Sequence, residues 1–226
     1  MGAILDKTAI RNAATVILVR DPDTAPKVLM GQRGANAAFM PNKFVFPGGA
    51  VDSEDHSIKL GDLPMPCAAR IDEDSAQGLA PGLFAAAIRE LWEETGLVLG
   101  TAGQWPGEPP QDWQGFAERG CIPDASGLRF VFRAITPPKR PRRFDARFFL
   151  ANATAVTGDI DDFSMASDEL SHLQWIALED VRNFTLPFIT EVVLAEVSAS
   201  LPQLGAPNSV PFFDNREPDS VFRRLG

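Results

Sequence analysis

The sequence of 226 residues has no tyrosine, two cysteines and two histidines, and no apolar run reaches the length of a membrane span. Without tyrosine, stacking on an aromatic ligand falls to phenylalanines such as Phe39 or Phe144. Cys67 and Cys121 form neither a disulfide framework nor a metal spacing, and His56 and His172 are too few to complete a zinc site with them. Each thiol reads as a small hydrophobe or a plain surface group, as expected in a reducing, cytoplasmic compartment. Basic residues are also short: 21 Lys and Arg stand against 30 Asp and Glu, a net charge of −9 and a pI of about 4.7. That excludes general binding to nucleic acid or anionic membrane, which needs clustered cations. It leaves open a small phosphorylated substrate, because a bound metal would bring the positive charge. The N-terminus has an early acid, Asp6, and no basic start, so Ala13 to Val19 reads as a first strand and not a signal peptide; Asp6 also breaks the myristoylation pattern.

What is present suits one domain over residues 1–226, with an insertion at about 53–81 and a C-terminal tail from about 201. Ala13–Arg20 and Lys27–Arg33 read as a hairpin, followed by a short strand, Lys43–Phe46. The insertion holds Gly61, Pro64, Pro66, Gly78 and Pro81, which argues against long regular structure, although Cys67–Ile71 has the makings of a helical turn. A helix is expected from about Leu83 to Glu94, capped by Gly96. Residues 100–110 read as a loop and Trp113–Arg119 as a short helix. Leu128–Thr136 alternates as a half-exposed strand, and Arg143–Ala151 and Leu173–Ala177 are further strands. Pro187–Ala199 has helical spacing, and the tail is expected to pack loosely or to form oligomer contacts, with a homodimer in view.

Within the central helix, Arg89-Glu90-Leu91-Trp92-Glu93-Glu94 carries the strongest chemical signal. Glu90, Glu93 and Glu94 span roughly a 100° arc of one side, while Ile88, Leu91 and Trp92 lie on the other. An ordinary solvated acidic face is one reading of such a run. Hard divalent cations, which favour crowded carboxylate oxygens, are the other. Upstream, Phe46-Pro47-Gly48-Gly49-Ala50-Val51-Asp52 is a turn whose glycines let the backbone approach a ligand closely.

Together the two segments resemble the Nudix box, G-x5-E-x7-R-E-U-x-E-E-x-G-U. Its second half matches at Arg89, Glu90, Leu91, Glu93, Glu94, Gly96 and Leu97, and its first half at Gly49. The separation from Gly49 to Arg89 is 89 − 49 = 40 positions instead of 14, so about 26 residues are inserted. Counting forward from Gly49 puts Asp55 at the first glutamate position, and counting back from Arg89 puts Pro81 there; Asp52, Asp55, Glu73 and Asp74 are the candidate substitutes. This interruption, with the run Ile135-Thr136-Pro137-Pro138-Lys139-Arg140-Pro141-Arg142-Arg143-Phe144-Asp145, resembles the Nudix 19-like branch, related to coenzyme A diphosphatases.

The resemblance implies an α/β/α sandwich with a mixed sheet and a pyrophosphohydrolase dependent on Mg²⁺ or Mn²⁺. It implies metal held by Glu90, Glu93, Glu94 and the Gly48 carbonyl, with Arg89 orienting the carboxylates. Glu93, Glu94 or Glu169 is the candidate general base. Arg33, Arg140, Arg142, Arg143 and Phe144 are candidate substrate contacts, since arginine forks suit phosphate; a solvated hairpin, or partners for the excess acids, is the plainer role for the basic run. Coenzyme A or an acyl-CoA is the leading substrate. ADP-ribose, a nucleotide sugar or NADH follows, and a Nudix-like binding module that no longer cuts is the alternative from another class.

Overall fold

The computed structural model describes residues 9–37, 39–217 and 219–226, so Met1 to Asp6, where the absence of a signal was read, lie outside it. In chain order the elements are β1 (Ile10–Arg20), β2 (Lys27–Arg33), β3 (Phe44–Val45), β4 (Gly48–Ala50), α1 (Met65–Asp72), α2 (Ala80–Thr95), β5 (Gly100–Ala102), α3 (Gln114–Glu118), β6 (Cys121–Pro123), β7 (Arg129–Ile135), β8 (Arg143–Asn152), β9 (Leu170–Ala177), α4 (Phe188–Ser200), β10 (Val210–Asp214) and β11 (Val221–Leu225). Nine strands form one mixed sheet in the order β11-β10-β7-β8-β1-β2-β3, with β4 also on β1 and β9 also on β2. The β1/β8 and β7/β10 pairs are parallel and the other pairs are antiparallel. Strands β5 and β6 make a separate small ribbon.

The alternation along β1 sets the layers. Ala14, Val16 and Leu18 enter one hydrophobic cluster with α1 and α2, while Ile17 and Val19 enter another with Val193, Leu194 and Val197 of α4. A strand whose side chains are apolar in both phases has to be covered on both sides. Helices therefore lie on both faces of the sheet, and the α/β/α sandwich is the architecture found. No helix among the described residues is long and apolar enough to cross a membrane.

Five expectations change. Helix α2 starts at Ala80, so Pro81 and Gly82 lie inside its first turn; proline is tolerated there because that N–H has no intrahelical partner. Its other end is as expected, with Gly96 left-handed at φ 75° and its N–H donated to the Trp92 carbonyl. The segment 100–110 is not all loop, since β5 pairs with β6. Strand β7 is buried on both faces: a register shift between Phe130 and Phe132 sends these rings into opposite clusters, where strict alternation would keep them together. The tail is part of the sheet. Strand β10 runs parallel to β7, β11 closes a hairpin on it, and Val210, Phe212 and Leu225 are buried in the core.

The insertion differs most from a surface loop. Ile58, Leu60, Cys67, Ala68, Ile71 and Leu79 join the cluster beneath α2, and α1 packs there. Asp74, just beyond α1, pairs with Arg133, Arg216 and Arg223, which ties the insertion to β7 and to the C-terminal hairpin.

Candidate active site

The turn between β3 and β4 is pressed against β1. Gly48 pairs with Thr15 and Gly49 with Ala14. A Cβ at Gly48 would strike the Ala14 carbonyl and Thr15, and one at Gly49 would strike the Glu90 carboxylate, so both glycines answer to close approach. The Gly48 N–H donates to Glu94 Oε2 at 2.8 Å. Helix α2 thus delivers Glu90 and Glu94 onto the backbone of this turn.

Arg89 organises the rest. Its Nε and Nη2 donate to the two oxygens of Asp55 at 2.9 and 3.0 Å, a bidentate fork. Nη1 donates to Glu90 at 3.0 Å and Glu93 at 2.8 Å, and Nη2 also reaches the Ala50 carbonyl at 2.9 Å. Asp55 sits in a short turn, Glu54–Ser57, and also accepts the Asp52 N–H. The first acidic position of the box is therefore filled by Asp55, the residue reached by counting forward from Gly49, and the extra residues follow it. Of the other candidates, Asp52 is half exposed and 3.7 Å from Arg89, Glu73 is exposed, and Asp74 belongs to the separate arginine cluster.

Electrostatics here are those of crowded anions. Burial, and then the Glu90 charge, push the Glu94 carboxyl up to about 8, against the Gly48 N–H and Arg33, which pull it down. Burial pushes Glu90 up to about 7, with Arg89 opposing and Glu93 and Glu169 adding repulsion. Glu93 is raised as well, by burial and by Asp112 and Asp55, although Arg89 opposes. Arg89 stays firmly charged: burial works against its charge, and the Asp55 bonds with the nearby carboxylates outweigh burial. Among the described residues, no three acidic, histidine or cysteine side chains converge as a finished metal cluster. Glu90 and Glu93 lean on Arg89, and Glu94 leans on Gly48.

Arg33 and Glu169, far apart in sequence, come together. Strand β9 pairs with β2 so that Leu170 faces Arg33. The two side chains line a hollow of about 310 Å³ with residues 34–37. Glu169 follows a loop fastened to α2 by the Ser167 N–H on the Glu93 carbonyl at 2.9 Å. The Arg33 Nε is buried with no partner among the described residues.

The basic hairpin divides. Arg140 and Arg142 are exposed and make no ion pair among the described residues. Arg143 is not a free phosphate fork: it donates to the Thr136 carbonyl at 3.0 Å and the Asn215 carbonyl at 2.7 Å, strapping the hairpin to the end of β10. Phe144 packs edge to face with Phe39, centroids 5.4 Å apart. Asp112 carries no local signal in the sequence, and its charge reaches Glu93 only through the fold.

An expected result separates Asp55 from its neighbour. Asp55→Ala leaves a buried guanidinium without its main carboxylate and is expected to lower unfolding free energy in urea by about 3–5 kcal/mol. Asp52→Ala, at a half-exposed pair, is expected to cost about 1 kcal/mol or less. The reverse order would remove Asp55 from the box position.

No family model matches the chain. A Caenorhabditis elegans protein named as nudix hydrolase 7 is 34% identical over 178 residues, covering 74% of this chain and 51% of that protein. The Xenopus laevis acyl-coenzyme A diphosphatase NUDT19 is 27% identical over 214 residues, covering 70% of this chain and 55% of that protein. The chain thus spans about half the length of these curated relatives. The crystal structure of a NUDIX hydrolase from Alicyclobacillus acidocaldarius superposes with a TM-score of 0.61 at 27% identity, covering 85% of this chain and 92% of that one. With the box residues assembled on the expected fold, the chain belongs to the Nudix hydrolase superfamily, in its Nudix 19-like branch.

Proposed function

We propose that this protein is a divalent-metal-dependent hydrolase that cuts the diphosphate joining a nucleoside to another group, with coenzyme A or an acyl-CoA as substrate. The observation that carries the proposal is the Arg89 hub: one buried guanidinium holds Asp55, Glu90 and Glu93 in order while Glu94 is fixed on the glycine turn. The donor set suits Mg²⁺ or Mn²⁺. It offers only hard oxygens, and burial and mutual repulsion raise the proton affinity of all three glutamates, a cost that a divalent cation relieves. Glu90, Glu93, Glu94 and the Gly48 carbonyl would hold it. When bound, the metal neutralises diphosphate oxygens and lowers the pKa of a coordinated water.

The chain's own groups do the remainder. Arg89 keeps Glu90 and Glu93 from swinging apart. Glu169, exposed at the rim and carried by a loop anchored to α2, takes the proton from the attacking water. Water adds to one phosphorus, the bridging P–O bond breaks, and each side leaves as a phosphomonoester. Arg33 meets phosphate oxygens through its unpartnered edge. Arg140 and Arg142 meet a further phosphate, and the Phe39–Phe144 pair offers an aromatic surface to the base. The similarity to an acyl-coenzyme A diphosphatase of Xenopus laevis supports a coenzyme A thioester as substrate.

The test is a hydrolysis panel with Mg²⁺ and Mn²⁺: coenzyme A, 3′-dephospho-coenzyme A, ADP-ribose, a nucleotide sugar and NADH, with products identified by mass spectrometry. Coenzyme A is expected to be cut to adenosine 3′,5′-bisphosphate and phosphopantetheine, faster than its dephospho form. Arg140→Ala with Arg142→Ala should erase that preference, each lost charge-assisted contact being worth about 1.5–3 kcal/mol, and should spare the dephospho substrate. Equal rates on the two substrates in the parent protein would move the assignment to ADP-ribose or a nucleotide sugar. No hydrolysis of any compound would leave a binding module.

A further inference from the structure

Arg147, on β8, is 1% exposed and stands where three segments meet. Its Nη1 donates to Asn12 Oδ1 and to the Asp145 carbonyl, both at 2.8 Å, and its Nη2 donates to Ser75 Oγ at 2.8 Å. Among the described residues the Nε has no partner, and the terminal nitrogens make the group's hydrogen bonds. Asp145 also pairs with it, at 3.1 Å, and shares its carboxylate with Arg133. Asn12 lies on β1, and its carbonyl accepts the Val51 N–H at 2.9 Å, at the exit of the glycine turn. Ser75 lies in the insertion beside Asp74, which Arg133, Arg216 and Arg223 hold.

A path therefore runs from the insertion to the glycine turn: Ser75 to Arg147, Arg147 to the Asn12 side chain, and the Asn12 main-chain carbonyl to Val51. The turn in turn gives its Gly48 N–H to Glu94 and its Ala50 carbonyl to Arg89. Nothing in this path touches the carboxylates directly. What it reaches is the strand that carries the glycine turn, and a small misplacement of catalytic groups costs roughly tenfold to 10² in rate.

We propose that Arg147 is a positioning residue, through which the box insertion sets the glycine turn and so the metal-binding carboxylates. The insertion is then a working part of the site, acting on it through a buried guanidinium. This rests on the function proposed above, and its test has one arm that does not need turnover.

Removing Arg147 outright takes a fully buried side chain out of the sheet and leaves Asn12 and Ser75 without its donors, which threatens folding, so the informative changes are at its partner. Asn12→Ala deletes the acceptor, and Asn12→Asp restores it with a charge. Three quantities are read for each variant: the urea unfolding midpoint, Mn²⁺ affinity by electron paramagnetic resonance, and kcat and KM separately on coenzyme A. Asn12→Ala is expected to keep a cooperative transition near the parent midpoint, to bind Mn²⁺ about tenfold more weakly, and to lose roughly tenfold or more in kcat with KM little changed. Asn12→Asp is expected to recover both. A folded Asn12→Ala protein with parental Mn²⁺ affinity overturns the proposal, as does an Asn12→Asp protein that recovers stability and not affinity. If the parent cuts no compound, the proposed activity fails by itself, and the Mn²⁺ measurement still decides the role of Arg147.

Discussion

Glu93→Gln and Glu94→Gln are each expected to lower metal-dependent turnover by at least ~10², the scale for losing a catalytic acid or base, while the protein stays folded. The geometry explains why the fold survives. In Glu94→Gln the new amide oxygen can still accept the Gly48 N–H, and in Glu93→Gln it can still accept from Arg89. What disappears is charge, and charge is what a divalent cation needs. Stability without metal should even improve on the alkaline side. The Glu94 carboxyl rises from 4.5 to about 8 in the folded protein. Between those values the folded state binds more protons than the unfolded one, so the metal-free parent loses stability as pH rises through that window. Glu94→Gln has no proton to lose there. Thermal melts in chelator at pH 5 and pH 8.5 should show the parent falling relative to the variant. Near-parental turnover in both glutamine variants would dismiss the metal assignment.

Replacing residues 58–79 by a short turn, with Asp55 kept, is expected to abolish cooperative folding. Chain entropy points the other way, since each doubling of a flexible loop costs only about 0.6 kcal/mol. Burial decides the contest. Six side chains of this segment, Ile58, Leu60, Cys67, Ala68, Ile71 and Leu79, belong to the core under α2. At about 1.5–3 kcal/mol for each large apolar side chain, their loss is of the same order as the whole stability of a domain, about 5–15 kcal/mol. Losing Asp74 also removes one carboxylate from the buried Arg133. Circular dichroism in a urea titration reads the result. A shortened chain with the parental midpoint would show that the insertion is ornament.

Local patterns in the sequence carried much of the site and part of the fold. Strand β2 was legible at its observed limits because its pattern and turn residues are local. The end of α2 was legible because a glycine at C′ is a local device. The acidic side of α2 followed from helical spacing alone, and Asp55 was reachable by counting from Gly49. What tertiary structure alone decided involves groups that meet from far along the chain. The choice of Asp55 over Asp52, Glu73 and Asp74 depended on which carboxylate is buried against Arg89, which the count from Gly49 could not decide with about 26 residues inserted before Arg89. The insertion looked like loop because its glycines and prolines speak of backbone, while its few apolar residues become core only when α2 lies above them. The tail looked loose because β10 finds its hydrogen bonds on β7, a strand some eighty residues earlier. Arg143 looked free for the same reason: the Asn215 carbonyl that accepts its hydrogen bond is 72 positions away. Secondary structure is set by neighbours in sequence. Which charge is paired, which strand is an edge and which loop is core are set by neighbours in space.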